Sequence, residues 1–328
     1  MVNVKKLSNH KISIKDLIFY LQSLIVVFTV FVISLVLCSY YVGGDQHAYI
    51  KLYNNLPSLG LIEAQEYYSR AVTSKELVHF TFSFIFSRIT DKSVFIAIFN
   101  SVLVYSALVL FRRWGAHFWI SAIILLSNYY AYVLYFPAER LKFGVIFLIV
   151  SLIFAETHKK SVLYSVFSCL AHFQMIIFYS SLLFEYCISK LKKLFFDLKL
   201  SLYLLLILLF PILIFMLFSD ELIHKIHVAM DNSYGIRSVA KPLVFLMGSL
   251  IYSKNKISII YLFIPIVIAA FFIGDSRVNM FCFFIFLYTA LPVRNGFNVG
   301  IALTIVYFGI KNFFFVDQIL KYGNGFYL

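Results

Sequence analysis

The length of its apolar runs is what most limits what this chain can become. The clearest runs are 17–41, 93–111, 117–136, 141–155, 200–218, 257–274, 278–293 and 297–315, with shorter pieces at 75–90, 161–189 and 242–253. A helix of about 20 apolar residues matches the hydrocarbon thickness of a bilayer. In that medium the backbone must satisfy its own polar groups, which open sheets and loops cannot do. The pattern predicts an all-α, polytopic integral membrane protein of about 10–12 transmembrane or re-entrant helices. It forms a single transmembrane domain over residues 1–328. Only 13% of residues are charged, about half the share of a soluble domain. Cys38, Cys169, Cys187 and Cys282 fall in or beside apolar runs without metal-ligand spacing and read as small core hydrophobes.

The formal net charge is +13. In a membrane protein such a surplus first reflects orientation, because Lys and Arg collect in short cytoplasmic loops. No nucleic-acid partner is needed to explain it. Lys5, Lys6, Lys11 and Lys15 precede the first run and put the N-terminus in the cytoplasm. They resemble the start of a signal peptide, but the run behind them is too long for one and lacks a small-residue exit, so it reads as a retained span. Residues 42–92 then form a first outer loop, and Arg112, Arg113, Lys159 and Lys160 fall inside. Lys190, Lys192, Lys193, Lys199, Lys254, Lys256 and Arg294 also fall inside if 161–189 enters the membrane and returns. It would do so as two short helices or a re-entrant hairpin meeting near Ala171-His172-Phe173-Gln174. Residues 219–241 become a second outer loop. The aromatic segment 75–90, charged at both ends, reads as a helix lying along the outer interface.

Orientation does not explain what remains outside. Asp45, His47, Lys51, Glu139, Arg140, Lys142, His172, Gln174, Arg237, Lys241, Asp275 and Arg277 gather on that face. A span-end arginine commonly snorkels to head groups. Arg140 and Arg277 differ in lying on the outer side with an acid close by, Glu139 and Asp275. A guanidinium fork fits phosphate oxygens. A transfer with a lipid diphosphate as leaving group needs that charge stabilised and a base for the attacking hydroxyl. Arg140, Arg277 and Arg237 are the candidates for the diphosphate, Arg237 from a turn-rich mobile segment over 231–237. Asp45, Glu139 and His172 are the candidate catalytic groups. Gly43-Gly44 would let the chain turn sharply and carry Asp45 over the site. His224, His227 and Asp231 are spaced for a metal ion but lack further ligands, and a solvated helix face explains them as well. No metal and no other cofactor is expected.

Four pieces of sequence, in order between about residues 40 and 293, resemble the bacterial polysaccharide polymerases of the EpsG-like and O-antigen polymerase (Wzy-type) group. They are Gly43-Gly44-Asp45-x3-Tyr49-x3-Tyr53, Glu139-Arg140-Leu141-Lys142-Phe143-Gly144, Ala171-His172-Phe173 and Asp275-Ser276-Arg277-Val278. Leu141 stands where that family often has Gln, and Gly144 where Ala is usual. The resemblance implies a GT-C-like, metal-independent glycosyltransferase of the bacterial inner membrane with its active site facing the periplasm. Its substrates would be undecaprenyl-diphosphate-linked oligosaccharides, and a chain-length regulator would be a partner. A flippase or transporter of lipid-linked sugars, an O-antigen ligase and a single-sugar membrane transferase are the alternatives.

Overall fold

A computed structural model describes residues 13–72, 76–194, 235–274 and 277–326. The apolar run 200–218, most of the second outer loop, the His224-His227-Asp231 group and Asp275 lie outside the described residues. Every described element is helical: α1 (Ile14–Tyr40), α2 (Asp45–Asn55), α3 (Leu61–Val72), α4 (Leu77–Phe86), α5 (Lys92–Arg113), α6 (Phe118–Ser127), α7 (Tyr129–Tyr135), α8 (Glu139–Ile153), α9 (His158–Ala171), α10 (Met175–Leu194), α11 (Gly235–Tyr252), α12 (Lys256–Ile273), α13 (Val278–Ala290) and α14 (Val299–Tyr322), with short 3-10 turns at Leu56–Ser58 and Val293–Gly296. Among them Ile14–Tyr40, Lys92–Arg113 and Val293–Tyr322 are long and apolar enough to cross a membrane. The bent pair α6–α7 makes a fourth if it is one span.

Ser13 starts α1 by accepting a hydrogen bond from the Asp16 amide, which satisfies one of the free first-turn donors. Phe19, Ser23, Val26, Val30, Ser34 and Leu37 follow at helical spacing as its one buried stripe, and α1 packs along α5. Asn100 of α5 donates to the Ser34 hydroxyl at 2.9 Å inside this contact. Many of the other side chains of α1, including Leu21, Leu24 and Phe28, are exposed and apolar, as on a helix facing hydrocarbon.

The expected span 117–136 is not straight. α6 and α7 meet at 62°, because Asn128 interrupts the apolar run and its side chain caps α7 through the Tyr130 amide. The expected turn near Ala171–Gln174 is where α9 ends and α10 begins. A Cβ on Gly144 would lie 2.7 Å from Met175 Cγ and 3.3 Å from His172 Cβ. The missing side chain is what lets this turn rest against α8. Within the first loop, α2 and α3 are additional helices. The segment 75–90 folds as the 10-residue α4, about 15 Å long and too short to cross. Its residues His79, Phe80 and Ser83 are buried, against α3, α8 and α9.

The helices run between two ends. At one end Val42 and Gly43 donate to the carbonyl of Gly323, at 3.1 and 2.7 Å, joining the exits of α1 and α14. The starts of α5, α8 and α13 and the α9–α10 turn meet at this end, as described below. At the other end Arg112 pairs with Asp16, Arg113 donates to the Ile153 carbonyl, and the His117 amide donates to Asn295 at 2.9 Å.

Gly44 has φ 59° and ψ −138°, a region essentially reserved for glycine. This turn places Asp45 at the first position of α2. Gly44→Ala is expected to cost about 1–3 kcal/mol and to lower the melting temperature in detergent. An unchanged melting temperature would show that the turn bears no strain.

Candidate functional site

One end of the bundle holds an open cavity of about 400 Å³. Asp45 from the start of α2, Tyr129 and Tyr130 from α7, Lys241 from α11, Arg277 at the cap of α13 and Lys311 from α14 line it. Lys311 Nζ lies 3.9 Å from the centre of the Tyr129 ring. Among the described residues, three cations and one carboxylate thus line a space with aromatic walls, an arrangement suited to an anion carrying more than one charge.

Behind the cavity wall is a buried charged knot. Glu76, at the cap of α4, is 1% exposed. Its Oε2 accepts from Arg140 Nη1 at 3.0 Å, and its Oε1 accepts from His172 Nδ1. Arg140 Nε donates to the Tyr49 hydroxyl at 2.8 Å. Burial pushes the Glu76 carboxyl up, but the facing His172 and Arg140 more than offset this and hold it below the usual carboxylate range. His172 Nε2 lies 3.1 Å from Gln174 Oε1.

The second half of the knot centres on Glu139. Lys92 Nζ is 3.0 Å from Glu139 Oε1 and also donates to Gln46 Oε1. Gln46 Nε2 donates to the Phe136 carbonyl at 3.0 Å. His79 Nδ1 is 2.9 Å from the Tyr68 hydroxyl. Its Nε2 is 3.9 Å from Glu139 Oε2, too far for a direct hydrogen bond. Lys142, fully buried on α8, donates to the Tyr135 carbonyl at 2.9 Å.

Neighbours in sequence therefore part ways. Asp45 faces the cavity, while Gln46 is buried in the knot. Ala138 lines the cavity, while Glu139, 2% exposed, lies behind it. The peptide steps 45–46 and 138–139 form the wall between the two compartments.

Of the residues singled out in the sequence, Asp45 and Arg277 meet in the cavity. Arg140 and His172 meet in the knot, bridged by Glu76, and Glu139 lies in its other half. Arg237 is not in a mobile loop. It lies in the first turn of α11, exposed, one turn before Lys241 and outside the cavity lining. The helix starts earlier than the apolar run at 242 because Ser238 continues its buried face and donates to the Ala270 carbonyl at 2.7 Å. Sequence reasoning does not reach Glu76, Lys92, Gln46 or Tyr68. The spacing of Glu76 and His79 was the available signal, but an acid flanking an apolar segment reads as a solvated end. No group of three or more His, Cys, Asp or Glu that could hold a metal ion occurs among the described residues. Comparison of the chain with family models, curated proteins and solved structures finds no match.

Proposed function

We propose that this protein is a membrane polysaccharide polymerase that joins undecaprenyl-diphosphate-linked oligosaccharide repeat units at the periplasmic face of a bacterial inner membrane. On this reading it is polytopic and GT-C-like, with a cytoplasmic N-terminus. The single observation that carries the reading is the cavity in which Asp45, Lys241, Arg277 and Lys311 come together from four distant stretches of chain. The resemblance of four short motifs supports it.

In the reaction a hydroxyl of the acceptor repeat attacks the anomeric carbon of the donor's reducing-end sugar. The bond from that carbon to the diphosphate oxygen breaks, and undecaprenyl diphosphate leaves. Asp45 takes the proton of the hydroxyl. Arg277 and Lys241 stabilise the charge developing on the diphosphate, and Arg237 assists from the rim. Arg140 has two guanidinium nitrogens committed to Tyr49 and Glu76, and it acts on the site from the knot behind the wall. His172 and Glu139 order the cavity wall from behind.

A transporter of lipid-linked sugars is the competing reading. It needs polar groups along a path between the two ends. Among the described residues, the space next to Tyr130 is instead a void of about 80 Å³ lined almost wholly by apolar side chains such as Leu103, Ala107, Phe111 and Leu148.

Deleting the gene in a strain with a polymeric surface glycan tests the function. Single capped repeats at the surface are expected. Absence of all repeats would mean a transporter, and polymer left on the lipid would mean a ligase.

A further inference from the structure

We infer that Glu76 is a positioning residue for Asp45, acting through Arg140 and Tyr49. The inference rests on the proposed function only for what Asp45 does there. The positional claim stands on geometry alone.

Asp45 is the first residue of α2, and its helix is held at this end by two relays of the same kind. In the first, the buried carboxylate of Glu76 fixes Arg140 at 3.0 Å, and Arg140 fixes the Tyr49 hydroxyl at 2.8 Å. Tyr49 lies one turn after Asp45 and shares the buried face of α2 with Gln46. In the second, Glu139 fixes Lys92 at 3.0 Å, and Lys92 fixes Gln46. Each relay is a buried acid, then a cation, then a polar side chain from the first turn and a half of α2.

The two acids come from different elements, the cap of α4 and the start of α8, yet both restrain one short helix. Gly44 precedes that helix with a turn that alone would leave its direction loose. Glu76 also holds His172, so one carboxylate ties the α9–α10 turn, the start of α8 and α2 together. A charge-assisted bond in such a setting is directional as well as strong. Loss of the Glu76 charge leaves Arg140 free to turn away from Tyr49, and α2 then loses one of its two restraints.

The test reads position 45 without turnover. A chain carrying Asp45→Cys, with the half-buried Cys38 and Cys187 replaced by alanine, is treated with a small anionic methanethiosulfonate, and the labelling rate is measured. Adding Glu76→Gln is expected to change that rate by at least about fivefold, and adding Tyr49→Phe by at least about threefold in the same direction. Combining the two should add nothing beyond Glu76→Gln, because they interrupt one relay. A Lys15→Cys reporter at the far end should be unaffected.

Rates within about twofold of the parent for Tyr49→Phe, or additive effects of the pair, would overturn the inference. If Glu76→Gln does not fold, Tyr49→Phe decides alone, since it removes one hydroxyl and keeps the ring. Normal polymer from Asp45→Asn together with shifted labelling would refute the role given to Asp45 and leave the positioning intact.

Discussion

Arg277→Ala is expected to lower chain elongation by about 10²–10³-fold in protein that still inserts and keeps its melting temperature. Arg277 caps α13 and lines the cavity beside Asp45 and Lys241. On the proposed function its guanidinium would face the leaving diphosphate, and its removal would take away stabilisation that grows as the bond breaks. Arg277→Lys should recover little, because a point charge does not reproduce the planar fork. The companion variant Arg140→Ala separates the two compartments. It should also abolish elongation, but with a lower melting temperature, because it leaves the buried Glu76 facing His172 alone. Loss is measured as glycan length on gels and stability as thermal unfolding in detergent. Normal-length polymer from Arg277→Ala would remove that residue from the mechanism.

Glu139→Ala is expected to be the most destabilising single change, at about 3–5 kcal/mol. Its carboxylate is the counter-ion of Lys92 at 3.0 Å and lies near the fully buried Lys142. Breaking such a pair from one side leaves an uncompensated charge out of water. Combining Glu139→Ala with Lys92→Met should restore part of the loss, since replacing both partners with apolar groups is often close to neutral. Thermal unfolding of the single and double variants reads both effects. A Glu139→Ala protein as stable as the parent would contradict the structural role.

Much of the fold was legible because its signals are local. The run 17–41 became α1, 93–111 became α5, and the polar break at His172 became the α9–α10 turn. Other features were hidden by the same habit of counting apolar residues. The run 117–136 read as one span, although Asn128 within it offers a cap and therefore a bend. Arg237 and Lys241 looked like loop because they are charged, although Ser238 keeps the helical period between them. The site was legible only in pieces. Asp45 and Arg277 could be named from their types and places. The partner that binds Arg140 to His172 could not, because Glu76 lies 64 and 96 residues from them. No local pattern marks a pairing over such separations.

All of this depends on one arrangement: Asp45, Arg140, Lys241 and Arg277 belong to the same end of the bundle, away from Lys15 and Arg113. Single cysteines at these six positions, labelled in intact cells with a membrane-impermeant thiol reagent and again after permeabilisation, measure that arrangement most directly. The expected result is labelling from outside at 45, 241 and 277, protection or slow outside labelling at 140, and labelling only after permeabilisation at 15 and 113. If 45 and 277 were to label from opposite sides, no single cavity could hold both, and the proposed chemistry would have no place to occur.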